Sequence, residues 1–146
     1  MNEAAEDWRL LVLIVDDSPT HLAFARQCLE RSGYRISVAA TGKHALQLTR
    51  ELEPNLLLMD AVMPDMNGYQ ATRKLSRSRV TAQLPIILAS SKDQEIDRVW
   101  GMRQGAVDDL IKPLEEAQLL GRVHYTLQRA AVSTATAAAN SSAENN

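Results

Sequence analysis

Four short apolar runs in this chain each end on, or lead into, a polar group. That pattern restricts the fold more than any other feature. Leu11-Val12-Leu13-Ile14-Val15 runs into Asp16-Asp17, and Leu56-Leu57-Leu58-Met59 runs into Asp60. Pro85-Ile86-Ile87-Leu88-Ala89 runs into Ser90, and Val107 to Ile111 runs into Lys112-Pro113. Short apolar runs of this kind read as parallel strands buried on both faces. Laid side by side, their carboxyl ends gather three carboxylates, one hydroxyl and one ammonium at one rim. Such a set suits a divalent metal and a phosphoryl group, so the pattern points to phosphoryl chemistry.

Between these runs the periodicity switches to that of helices. Leu10 to Val15 reads as the first strand. Ser18-Pro19 then opens a helix, with serine suited to the N-cap and proline to the first helical position. Leu22, Ala25, Cys28 and Leu29 share one of its faces, and Gly33 fits its stop. Arg35 to Ala39 alternates as a short strand, and Thr41 to Leu52 reads as a second helix with Ala45 and Leu48 inward. Pro54-Asn55 breaks that helix before the strand Leu56 to Asp60. A loop from Ala61 to Asn67 precedes Gly68 and a third helix near Tyr69 to Ser76. The strand Pro85 to Ala89 follows, then a fourth helix at Asp93 to Arg103 and the strand Val107 to Ile111. Glu115 to Arg129 forms the fifth helix, with Leu119, Leu120, Val123 and Leu127 near one face. From Ala130 the composition turns to Ala, Ser, Thr and Asn, which reads as frayed helix passing into a flexible, disordered tail.

Strands alternating with helices argue an α/β fold, a parallel sheet covered on both faces. Right-handed crossovers limit its topology, and sheets of this kind carry their sites beyond the carboxyl ends of the strands. A chain of 146 residues, 45% hydrophobic, is one domain's worth with a proper core. Its net charge of -2 makes no electrostatic case for nucleic acid or an anionic membrane. The single cysteine, Cys28, excludes an internal disulfide and reads as a small core residue. No apolar stretch approaches the roughly 20 residues of a membrane span. Met1 to Asp7 lacks the basic start of a secretory signal, so a cytoplasmic protein is expected.

The rim residues carry the chemistry. Mg²⁺ prefers six oxygens and takes one or two carboxylates together with phosphate oxygens and water. Asp16, Asp17 and Asp60 supply the acids. Without a cation, three close carboxylates repel one another, which makes the cluster unfavourable unless a positive charge belongs there. Lys112 provides a fixed positive charge, and Ser90 a hydroxyl for a phosphoryl oxygen. Asp60 ends the central run and is the natural nucleophile, since a carboxylate attacking phosphorus gives an acyl phosphate. The other groups stabilise and align the transferring group.

With these residues in view, the chain resembles the receiver domains of two-component response regulators. The matching segments are Val15-Asp16-Asp17-Ser18, Leu58-Met59-Asp60 with Met63-Pro64 and Gly68, Pro85-Ile86-Ile87 leading to Ser90, and Gly105-Ala106 leading to Lys112-Pro113. They cover about residues 9 to 129, leaving 1–8 as an N-terminal extension and 130–146 as the tail. The resemblance implies a doubly wound, flavodoxin-like fold with five strands in the order 2-1-3-4-5 and five helices. It implies Asp60 as phosphoacceptor and Asp17 as direct ligand of Mg²⁺ or Mn²⁺. Asp16 acts mainly through water, and the Val62 carbonyl completes the metal site. Ser90 becomes the switch hydroxyl, Lys112 the phosphate-sensing cation, and the Lys112–Pro113 bond cis.

A narrower resemblance, to single-domain, chemotaxis-like regulators of twitching motility, rests on Gly68 to Arg73 and on the stretch from Lys92 to Ala106. It implies a sensor histidine kinase as donor and a protein output partner, with the type IV pilus machinery as the candidate. Such a chain is a phosphoacceptor that assists its own phosphorylation and dephosphorylation, not an enzyme acting on a separate substrate. The tail after Arg129 is too short for a DNA-binding domain, so output is expected by protein contact or by draining phosphate from a shared kinase.

Two departures stand out. The family usually places an aromatic three residues before the sensing lysine, where it rotates inward on activation, and here that residue is Asp109; the residue after Pro113 is Leu114, where phenylalanine is common, a mild change. The positions that tune phosphate lifetime hold Val62 and Lys92, and valine cannot orient a water. Trp100 on the fourth helix either packs that helix or faces a partner. His21, His44 and His124 show no metal-ligand spacing and receive no function. Two other functions compete. A metal-dependent phosphatase using an aspartyl phosphate needs an acid two residues after its nucleophile, where Val62 stands. A scaffold that has lost phosphorylation draws its support from Asp109.

Overall fold

The computed structural model describes residues 9–91, 99 and 101–144, with residues from 133 onward described by their backbone. The elements are β1 Leu11–Val15, α1 Pro19–Arg31, β2 Arg35–Ala39, α2 Gly42–Leu52, β3 Leu56–Asp60, α3 Gly68–Arg77, β4 Ile86–Ser90, β5 Asp108–Ile111 and the C-terminal helix α4, Glu116–Glu144. Residues 101–103 are also helical and end the segment in which the fourth helix is expected. The rest of that segment, with Lys92 and Trp100, and the N-terminal extension lie outside the described residues.

All strand pairs are parallel and the order is β2-β1-β3-β4-β5. The central strands β1, β3 and β4 are buried nearly throughout, which is why their sequences are unbroken apolar runs. The edges β2 and β5 are half-buried and carry Arg35, Ser37, Asp108 and Asp109. Alternation along each strand divides the core in two. Leu13, Val15, Leu57, Met59, Ile86 and Leu88 face α2 and α3. Val12, Ile14, Leu56, Leu58, Ile87 and Leu110 face α1 and α4, against Leu29, Leu119 and Val123.

The helix starts follow local chemistry. Ser18 accepts from the His21 amide at 3.4 Å, with Pro19 inside the first turn. Thr41 accepts from the His44 amide at 3.1 Å, and Asn67 from the Tyr69 amide at 2.7 Å. These caps satisfy amides that a helix start leaves open. Gly33, with φ of 95°, follows α1 as the left-handed stop expected of it. Pro85 lacks the N–H of a central strand residue, so β4 begins at Ile86, while the Pro85 carbonyl still accepts from Leu57 at 3.0 Å. The Lys112–Pro113 bond is cis.

The C-terminal region departs from expectation. Helix runs further than the composition of the tail suggests, because the α4 backbone is helical to Glu144. Alanine has the highest helix propensity, and the run beyond Arg129 holds neither glycine nor proline to stop it.

Gly68 marks the tightest contact near the rim. A Cβ built there would lie 2.6 Å from the Asp60 carbonyl oxygen and 2.9 Å from the Ala61 Cα. The obstruction is backbone, which cannot rotate aside. Gly68→Ala is therefore expected to lower the unfolding free energy by about 1–3 kcal/mol in urea titrations. An unchanged midpoint would show that the loop yields freely.

Candidate functional site

Four strand ends meet at the carboxyl rim, and the positions singled out in the sequence come together there. Asp16 follows β1 and is buried, at 7% exposure. Its amide donates to the Ala39 carbonyl of β2, its Oδ1 accepts from the Ser18 amide at 2.9 Å, and its Oδ2 accepts from Lys112 Nζ at 2.8 Å. Asp17 is exposed beside it. Asp60 closes β3 half-buried, with Oδ1 held by the Val62 amide at 3.2 Å and Oδ2 at 3.1 Å from Lys112 Nζ. One ligand oxygen each from Asp16, Asp17 and Asp60 fall within 4.8 Å of one another. Hard carboxylate oxygens at that spacing are the donor set of a divalent cation such as Mg²⁺.

The electrostatics reflect crowding around one cation. Burial raises the Asp60 pKa above the ordinary value, the Val62 amide and Lys112 oppose that rise, and the charge of Asp16 adds to it. For Lys112, burial alone would lower the pKa. The hydrogen bond to Asp16 and the charges of Asp60 and Asp16 outweigh it and hold the ammonium above its ordinary range. The Lys112 amide also donates to the Ser90 carbonyl at 2.7 Å, which fixes the backbone from which the lysine reaches into the pocket.

Ser90 is the last residue of β4 and is buried, at 1% exposure. Its hydroxyl donates to Asp109 Oδ1 at 3.1 Å. The acid at the expected aromatic position thus touches the Ser90 hydroxyl directly. Val62 is 56% exposed at the mouth, and the loop is drawn together by a bridge between Val62 and Asn67.

Two site residues were not foreseen. His21 Nδ1 lies 3.1 Å from Lys112 Nζ and 3.8 Å from Asp16 Oδ2. Its position in the first turn of a helix that starts directly beyond the acidic pair was the available signal; metal-ligand spacing was the wrong test for it. Asp65, in the loop after β3, accepts from the Gly42 and Lys43 amides at 2.8 and 3.0 Å and so caps α2 from a distant part of the chain. Those bonds lower its carboxyl pKa. His44 sits in the first turn of α2, its amide on the Thr41 cap, and His124 on α4 lies 3.4 Å from the Tyr34 hydroxyl.

The family model of the response regulator receiver domain matches residues 12–124. The chain is 45% identical over 116 residues to protein PilH of Pseudomonas aeruginosa, covering 80% of this chain and 96% of that protein. Other curated relatives are longer; the chain spans 26% of one and 51% of another. Among solved structures, a response regulator from Chloroflexus aurantiacus J-10-fl superposes with a TM-score of 0.80 at 31% identity, over 82% of this chain and 98% of that one. A CheY-like receiver domain protein from Methanospirillum hungatei JF-1 also gives 0.80, at 27% identity, over 86% and 98%. Among the described residues, no helix is long and apolar enough to cross a membrane.

The raised pKa of Asp60 makes its ionised form costlier in the folded state than in the unfolded one. That cost is present above the folded pKa. It is relieved as pH falls through the folded value and is gone below the unfolded value. In metal-free buffer at neutral pH, Asp60→Asn should therefore raise the unfolding free energy. The gap to wild type should close on acidification. Thermal denaturation with a chelator across pH 3 to 8 checks this, and a gap that widens in acid would refute the assignment of cause.

Proposed function

The chain belongs to the response regulator receiver domain family, and from that premise we propose that Asp60 accepts a phosphoryl group from a sensor histidine kinase. The protein then signals through contacts that depend on that group, or drains phosphate from a shared kinase. The observation that carries this reading is the convergence of the Asp60 carboxylate with the Lys112 ammonium at 3.1 Å, beside Asp16 and Asp17.

In the transfer, an Asp60 carboxylate oxygen forms a bond to phosphorus as the P–N bond to the donor histidine breaks. The electron pair stays on the imidazole nitrogen. Lys112 already lies against Asp60 Oδ2 and meets the negative charge of the incoming oxygens. The Val62 amide on Oδ1 fixes the orientation of the nucleophile. Asp16 has one oxygen on the Ser18 amide and the other on Lys112, and its contact to a cation would run mainly through water. Asp17, exposed and next to it, would bind a hydrated cation directly, and the Val62 carbonyl would complete the site. Mg²⁺ or Mn²⁺ held there would neutralise phosphoryl charge during transfer.

The likeness to PilH over most of both chains supports a regulator of that kind, acting in the cytoplasm within a chemotaxis-like system. Its output would then be control of type IV pilus twitching motility, by contact with the pilus machinery. The protein is a phosphoacceptor that assists its own phosphorylation and dephosphorylation.

Incubation with acetyl phosphate and Mg²⁺, read by intact mass, is expected to add one phosphoryl group to the wild type. Asp60→Ala or chelation of Mg²⁺ should abolish it. An adduct on Asp60→Ala would move the acceptor elsewhere, and none on the wild type would favour a scaffold. Val62 leaves no polar group to orient an attacking water. Val62→Asn is therefore expected to speed decay of the acyl phosphate several-fold, and an unchanged decay rate would remove that role from position 62.

A further inference from the structure

The Ser90 hydroxyl, which the sequence offers to a phosphoryl oxygen, is already committed in the unphosphorylated protein. Its O–H donates to Asp109 Oδ1 at 3.1 Å inside the sheet edge, with Ser90 1% exposed. A serine hydroxyl has one proton to donate, and an ionised carboxylate only accepts. The direction of this bond is therefore fixed, and it is charge-assisted. The two strands hold the partners in place. Leu88 is in register with Asp109 and Ser90 with Ile111, so Ser90 and Asp109 are diagonal neighbours on one face of the sheet. The Ser90 carbonyl is tied to the Lys112 amide at 2.7 Å, and the Asp109 amide donates to Asp108 Oδ1 at 2.8 Å.

We propose that Asp109 is a positioning residue for phosphoryl reception: its carboxylate holds the Ser90 hydroxyl in the unphosphorylated protein and sets how readily that hydroxyl turns to an oxygen of a phosphoryl group on Asp60. The inference rests on the reading of Asp60 as phosphoacceptor. Phosphorylation then does not add a hydrogen bond to Ser90 but exchanges one anionic acceptor for another. Only the difference between the two bonds favours the phosphorylated arrangement. A neutral acceptor at 109 would be a weaker rival, and no acceptor would be weaker still. An acid here thus acts as a brake on the switch, where an aromatic would leave the hydroxyl's proton uncontested.

A purely electrostatic role is the competing explanation. A negative charge at position 109 would repel any anion at Asp60 whether or not Ser90 is present. A double-mutant cycle separates the two. Wild type, Asp109→Asn, Ser90→Ala and the double variant are titrated with beryllofluoride and Mg²⁺ by calorimetry. Asp109→Asn is expected to tighten binding about tenfold when Ser90 is present, and to change it little in the Ser90→Ala background. Asp109→Leu, of similar volume without an acceptor, is expected to tighten binding at least as much and guards against a folding artefact of one variant. An equal effect in both backgrounds overturns the proposal in favour of through-space charge. No effect, or weaker binding, overturns it outright. Failure of the wild type to bind beryllofluoride would remove the reading of Asp60 itself. Binding by wild type with Asp109→Asn unaltered removes only the role of Asp109.

Discussion

The rim is organised around one ammonium. Asp16 and Asp60 stand on neighbouring strand ends and repel each other, and Lys112 reaches both, at 2.8 and 3.1 Å. Sheet order explains why a lysine is needed. β5 is separated from β3 by β4, so the group that joins them must cross about two strand spacings, roughly 10 Å. A long flexible stem with three donors at its tip can do this, and a short side chain cannot. His21 Nδ1 also lies 3.1 Å from the ammonium. The ammonium thus touches three segments: the β1 end, the β3 end and α1.

The same logic extends to Ser90. Before any phosphoryl group arrives, both groups that would read it are satisfied by carboxylates, Lys112 by Asp16 and Asp60, Ser90 by Asp109. A receiver built this way gains little from simply making contacts, because each new contact displaces an old one. What moves the equilibrium is the difference in strength between a carboxylate acceptor and a phosphoryl acceptor, and a ligand shifts populations only by such a difference. With Asp60 as the proposed phosphoacceptor, the response would depend on balanced exchange at Lys112 and at the Ser90–Asp109 pair.

Much of this was legible in the sequence because the relevant signals are local. An unbroken apolar run means a strand buried on both faces, and β1, β3 and β4 are such strands. A residue that ends a run must sit at the rim, which brought Asp16, Asp17, Asp60, Ser90 and Lys112 together without any long-range information. The misses have physical reasons. His21 and Asp65 act through partners far away in sequence, 91 and 23 residues for the bonds to Lys112 and Gly42, and no local pattern encodes such pairs. The extended α4 was missed because alanine, serine and threonine without large apolar residues signal no packing, although alanine needs none to remain helical. Asp109 was recognised as a departure, but its bond to Ser90 follows from register across β4 and β5, which only the paired strands reveal.

Neighbouring residues of β5 face opposite sides of the sheet. Leu110 points into the core shared with Leu119 and Val123 of α4. By alternation, Asp109 points to the opposite face, the one Leu88 shares with Tyr69, Leu75 and Ala106. α4 is tied to β5 at Asp108 through Arg122, whose Nη1 lies 3.0 and 2.8 Å from the two carboxylate oxygens. That pair is half-exposed and contributes on the order of 0–1 kcal/mol. The apolar contacts of Leu110, not this ion pair, are what hold the strand against α4. On the other side of the sheet, residues 101–103 and the turn to Ala106 lead back into β5, whose approach is fixed by the Val107 amide on the Ile86 carbonyl at 2.8 Å.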